Sequence, residues 1–215
     1  MADKCLGSGR IAILGWGSLL WDLDDLAPHV DGAWRLRAGP RLPVEFSRIS
    51  PKRRKSLVIC LDPAVGVPCA THAIASRRPD LAAARADLAR RERAPLRRIG
   101  WVDADGRGES RLRVVADLVA AWCRAGGWRG AVWTDLDPNF AVETGAAFSV
   151  AAGRDYLRGL EGDSLAEAFR YIRNAPPTTR TPLRRALAAD PWWRGLRAQA
   201  PALAGGTPAR AARRP

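Results

Sequence analysis

Histidine, lysine and methionine are scarce in this chain of 215 residues, and the scarcity excludes several kinds of chemistry. His29 and His72 are the only histidines, too few and too far apart for paired imidazole ligands. Cys5, Cys60, Cys69 and Cys123 include no C-x-x-C spacing, so neither a zinc site nor a disulfide framework is indicated. A reducing, cytoplasmic setting is the default that follows. Of the 35 lysines and arginines only Lys4, Lys52 and Lys55 are lysine. The formal charge of +13 is therefore arginine charge, scattered through an alanine-rich chain without a long basic block. Its short clusters are residues 52–55 and Arg210, Arg213 and Arg214. Such a surface attracts polyanions weakly. With no recognition helix and no aromatic stacking platform, a dedicated nucleic-acid role is not expected. Nor is a membrane role, because no apolar run approaches the roughly 20 residues of a span and the N-terminus lacks a signal peptide's apolar core. The expected partner is a small molecule.

What the chain does have is an uninterrupted apolar run, Ile11-Ala12-Ile13-Leu14, that ends in Gly15-Trp16-Gly17-Ser18-Leu19-Leu20-Trp21. Apolar residues without alternation, bounded by glycine, predict a strand covered on both faces. Glycines at 15 and 17 open backbone angles closed to other residues and allow several N–H groups to face one concavity, a cradle for an anion. The plainer reading is a strand that ends in a glycine turn. A dinucleotide fingerprint would need a third glycine where Leu20 stands. A nucleophile elbow would need G-x-S-x-G around Ser18, but Gly17 directly precedes that serine.

Nothing divides the chain into two, so one domain over residues 10–199 is expected, after a loose leader (1–9) and before a disordered tail (200–215) rich in Gly, Pro, Ala and Arg. Short runs at 34–37, 42–49, 56–61 and 69–74, separated by Gly and Pro, predict a mostly antiparallel, twisted sheet. Within the second run Leu42, Val44 and Phe46 share a face, which sends Glu45 toward solvent or a charged neighbour. Further strands are expected at 98–103 and 130–134, with an amphipathic helix over 109–124 between them, closed by Gly126-Gly127. The last third is helical. Ser149 caps one helix, Ser164 and Glu167 form a capping box for a second, and Thr181-Pro182 and Asp190-Pro191 open two more.

One helix carries a carboxylate in an awkward place. Pro79 opens it and Asp80 occupies its first turn. At about 100° per residue, Leu81, Ala84, Arg85, Leu88 and Glu92 then fall on one stripe, with Arg90, Arg91 and Arg93 on the sides and back. A carboxylate on the buried stripe, in the last turn, is costly to desolvate and badly placed for the helix dipole. Glu92 has either a job or a partner, in the second case Arg85 or an arginine from elsewhere.

The glycine turn, followed by Arg91-Glu92-Arg93 and then Ile99-Gly100-Trp101-Val102, resembles the γ-glutamylcyclotransferase-like superfamily, and the Gly-Ser-Leu-x-Trp form is most similar to its ChaC-type branch. The resemblance covers residues 10–135; the helices of 149–199 are an extension. It implies an α+β fold, a small, mixed, mostly antiparallel, barrel-like sheet with surrounding helices. It also implies that Trp16, Gly17, Ser18, Leu19, Leu20 and Trp21 hold a γ-glutamyl group and that Glu92 is the catalytic acid and base. The implied reaction closes 5-oxoproline and expels an amine or amino acid, with no metal or organic cofactor. The chain departs from the family in having Trp16 where the turn carries tyrosine and Trp101 where the later strand often does. A non-catalytic binding module on the same fold, holding an acidic small molecule or peptide end, is the alternative.

Overall fold

Alternation along a single strand organises the interior. In β1 (Ile11–Gly15) every residue is buried. Ile11 and Ile13 join one apolar cluster while Ala12 and Leu14 join another on the opposite face. A strand with two covered faces has no polar side to show, which is why its sequence reads as an unbroken apolar run. The computed structural model describes residues 9–196. The tail expected from residue 200, the leader apart from Gly9, and Cys5 lie outside the described residues.

The fold is α+β, with two sheets rather than one closed barrel. The strands after β1 are β2 (Val30–Arg35), β3 (Arg41–Ser50), β4 (Ser56–Leu61), β5 (Val67–Ala70), β6 (His72–Ser76), β7 (Ile99–Asp103), β8 (Gly108–Glu109) and β9 (Gly130–Thr134). The larger sheet has the order β2-β6-β1-β9-β7-β8 and the smaller the order β4-β3-β5. Among the described residues only β1 and β9 pair in parallel; the remaining pairs are antiparallel. The run at 69–74 is thus two strands in different sheets, broken at Thr71, whose hydroxyl donates to Pro40 O.

Helix α1 (Leu81–Glu92) covers one face of the large sheet through Ala84, Leu88 and Ala89. Asp80 is its N-cap, accepting from Ala83 N at 2.7 Å, so the helix starts two residues later than Pro79 predicts. Asp87, a buried residue of this helix, is bonded by Arg78 at 2.5 Å and Arg90 at 2.8 Å. Burial lifts its pKa, but the Arg78 hydrogen bond and the charges of His29, Arg78 and Arg90 outweigh that and hold it below the usual carboxylate range.

Helix α2 (Arg113–Gly126) lies on the other face and ends, as expected, at a left-handed Gly127. It starts four residues later than its periodicity implies. The buried Asp135 carboxylate takes the Ser110 hydroxyl and Arg111 N, and Ser110 Oγ takes Leu112 N. Those local bonds outbid the first helical turn.

The C-terminal helices are α3 (Phe140–Thr144), α4 (Val150–Arg158), α5 (Gly162–Asn174) and α6 (Pro182–Ala189), followed by helical residues 191–196. Ser149 and Thr181 cap α4 and α6 as expected. Ser164 does not cap α5, which begins at Gly162 with left-handed φ. Its intended capping partner Glu167 instead binds Arg53 and Arg170. These helices cover the face of β3 that the sequence assigned to solvent or a charged neighbour. Glu45 is therefore fully buried, a correction to the alternation argument. Its carboxylate accepts from Phe46 N at 2.7 Å and from Leu183 N, in the first turn of α6, at 3.1 Å. A register shift between Glu45 and Arg48 interrupts the simple period of two.

Burial raises the Glu45 pKa above its ordinary 4.5; the Asp62 charge adds to this, and hydrogen bonds from Thr181, Phe46 and Leu183 oppose it. The folded state therefore holds this proton more tightly than the unfolded chain. The resulting stability is complete below about 4.5 and is lost as pH rises through the folded-state value. Glu45→Gln should lower stability by about 1–3 kcal/mol by setting an amide among N–H donors. The gap between wild type and variant should narrow as pH rises above 4.5. Denaturant unfolding at a series of pH values checks both.

Candidate functional site

The turn after β1 is shaped by close approach. Neither Gly15 nor Gly17 has a left-handed φ, but Gly17, at φ −137° and ψ −137°, lies outside the helical and extended regions. What excludes a side chain is space. A Cβ on Gly15 would lie 2.7 Å from the Trp34 ring, and one on Gly17 would lie 2.8 Å from both Ile59 Cγ2 and the Tyr171 hydroxyl. A 3₁₀ turn over Ser18–Leu20 follows. The N–H groups of Ser18 and Leu19, first in that turn, have no acceptor among the described residues, as expected at a helical start.

Below this turn is a cavity of about 80 Å³, lined by Trp16, Gly17, Ser18 and Leu19 on one side and by Arg91 and Glu92 at the end of α1 on another. That volume suits several waters or one compact polar group. Strand β4 gives Val58, Ile59 and Cys60 to the wall, Arg48, Lys52 and Arg53 surround it, and α5 contributes Tyr171. Two polar atoms of lining residues, Arg91 Nε and Thr134 Oγ1, are buried without a hydrogen-bond partner.

Six turn residues and one glutamate are expected at the site, and the structure brings five of those seven to this cavity. Leu20 and Trp21 do not line it. Trp21 packs edge-on against the Tyr171 ring instead, with centroids 5.5 Å apart. Trp16 lines the cavity but is also a core residue, 5% exposed, and its carbonyl accepts from Thr179 Oγ1 at 3.3 Å.

Glu92 sits in the last turn of α1, its side chain 13% exposed. It is not paired with Arg85, which bonds Leu96 O, Ile99 O and the Glu109 carboxylate. Its partner is Arg91, whose Nη1 donates to Glu92 Oε1 at 2.7 Å. Arg91 is the main correction to the helical-wheel placement: the wheel sends it to the flank, and it is 2% exposed. It turns inward because acceptors distant in sequence await it. Nη2 donates to Asp22 O and reaches Ser18 Oγ at 3.4 Å. The helix ends just beyond, with Arg93 in left-handed conformation.

Three cations at the rim already have acidic or aromatic company. Arg48 binds Asp137 O and lies 3.6 Å from its carboxylate. Arg53 lies 3.3 Å from Asp22, 3.4 Å from Glu167 and over the Tyr171 ring. Arg91 has Glu92. Tyr171 and Cys60 are both pushed up to about 12, chiefly by burial, so phenol and thiol are neutral at physiological pH.

Arg48, Arg53, Arg91 and Tyr171 are the site residues that sequence reasoning missed. Arg53 had appeared only as part of the short basic cluster at 52–55, and Tyr171 not at all. The chain matches no protein-family model, no curated protein and no solved structure. Among the described residues no group of three or more His, Cys, Asp or Glu could hold a metal ion, and no helix is long and apolar enough to cross a membrane.

Because a methyl at position 17 meets the Tyr171 hydroxyl and Ile59 at once, Gly17→Ala should cost about 1–3 kcal/mol of stability. It should also displace Tyr171 from the cavity wall. Thermal unfolding, together with a blunted change in tyrosine absorbance on ligand addition, checks this.

Proposed function

We propose that this protein is a γ-glutamylcyclotransferase-like enzyme that closes a γ-glutamyl group to 5-oxoproline and releases an amine or amino acid. The observation that carries the reading is that the Glu92 carboxylate and the Trp16–Leu19 turn, 73 to 76 residues apart in sequence, line one small cavity and are tied together by Arg91.

The reaction is an intramolecular aminolysis. A substrate α-amine has a pKa near 8 and reacts as its free-base fraction. As that amine attacks the γ-carbonyl, a C–N bond forms and the nitrogen passes a proton to Glu92 Oε2, the oxygen that Arg91 leaves open. Glu92 returns that proton to the departing nitrogen as the original amide bond breaks, so the carboxylate ends as it began. The N–H groups of Ser18 and Leu19 and the Ser18 hydroxyl suit an α-carboxylate, supported by the positive surroundings of Arg48, Arg53 and Arg91. Bending the substrate so that amine and carbonyl meet supplies up to ~7–11 kcal/mol of the acceleration.

A non-catalytic binding module is the second reading. It is favoured by Trp16, which has no hydroxyl to offer, and by the engagement of Glu92 Oε1 in an ion pair of the kind that also holds folds together.

Glu92→Gln separates the two. In an enzyme it should reduce 5-oxoproline release from glutathione, γ-glutamyl dipeptides and γ-glutamylamines by at least roughly 100-fold in protein that still folds, with a lowered thermal midpoint because the buried Arg91 loses its counter-charge. A folded variant that works at the wild-type rate sinks the assignment, as does a wild-type protein that releases none from any of them.

A further inference from the structure

Among the four cations around the cavity, Lys52 is the one whose ammonium forms no ion pair among the described residues. Its Nζ donates only to Arg91 O, at 3.2 Å. It projects from a 3₁₀ turn over Pro51–Arg53, and the residue is exposed, which puts the charge at the mouth and not at the floor. Arg91, its neighbour, is committed inward to Glu92, Ser18 and Asp22.

An amino-acid-sized anion held by the turn at residues 17–19 has its reacting carbonyl near Glu92. Whatever is attached beyond that carbonyl must then extend toward the mouth. We infer that Lys52 is a specificity-determining residue: its ammonium seats an anionic group on the outer, departing half of the ligand, so the site favours a ligand with a second carboxylate over a neutral isostere. This rests on the reading given under Proposed function for the orientation of the ligand. Partial burial lowers the Lys52 pKa, Arg91, Arg93 and Arg53 push the same way, and Glu92 alone opposes them. An incoming carboxylate relieves that crowding. Geometry makes the choice of residue specific: Arg48, Arg53 and Arg91 each already have a carboxylate within 4 Å, and Lys52 has none among the described residues.

The test compares γ-glutamylglycine with γ-glutamylglycinamide, which differ in a carboxylate against a neutral amide of the same shape. Their affinities are measured by titration calorimetry on wild type, Lys52→Met and Lys52→Arg, with 5-oxoproline release followed separately. Wild type should bind the acid roughly three- to tenfold more tightly than the amide. Lys52→Met should bring that ratio close to one, Lys52→Arg should retain most of it, and added salt should shrink it. A wild-type ratio near one, a ratio that Lys52→Met leaves unchanged, or failure to bind either compound overturns the inference. Lysine-dependent discrimination without 5-oxoproline release upholds it and removes only the cyclisation. Release of 5-oxoproline from both compounds without discrimination does the reverse.

Discussion

One guanidinium joins the parts of this molecule that matter for its cavity. Arg91 is buried to 2% exposure, and a charge so placed is tolerable only where acceptors meet it; its two terminal nitrogens have them, while Nε has none among the described residues. Glu92 supplies a carboxylate, Asp22 a carbonyl and Ser18 a hydroxyl. The same bonds that compensate Arg91 fix the end of α1 relative to the turn after β1. The cavity wall is therefore a by-product of keeping one arginine satisfied.

Charge is arranged around the cavity in a way that composition does not convey. A formal +13 describes a sticky surface, yet at the cavity the arginines are mostly spent on internal acceptors, and Asp22, Asp137 and Glu167 damp them. What reaches a ligand is a graded field, with an ion-paired carboxylate inside and, at the mouth, an ammonium that has no ion pair among the described residues. Such an arrangement orients a polar ligand end to end as well as attracting it.

Local sequence carried some of this and not the rest. The buried strand β1, the glycine end of α2 and the caps at Ser149 and Thr181 follow from propensity and side-chain chemistry within a few residues, and each is where the sequence puts it. Glu45 and Arg91 were misplaced for one shared reason. A period of two or of 3.6 says which residues share a face, but not what later part of the chain covers the opposite one. Helix α6 covers Glu45, and the 3₁₀ turn at Ser18 awaits Arg91. Ser164 shows the same limit in reverse, since its capping partner Glu167 had a better offer in Arg53 and Arg170. Trp16 to Leu19 and Glu92 stood out because each belongs to a short local pattern, and the structure lines one cavity with both patterns. Tyr171 was not, because nothing near it in the chain marks it.

The bond from Thr179 to the Trp16 carbonyl spans 163 residues, and Tyr171 fills the space that Gly17 leaves empty. The turn after β1 is thus finished by helices far along the chain. During synthesis on the ribosome the glycine turn waits, half-walled, until α5 emerges, and in the mature protein any local opening that lifts α5 also unroofs the turn. Protease sensitivity near residue 17 therefore reports on the docking of a segment more than 150 residues away.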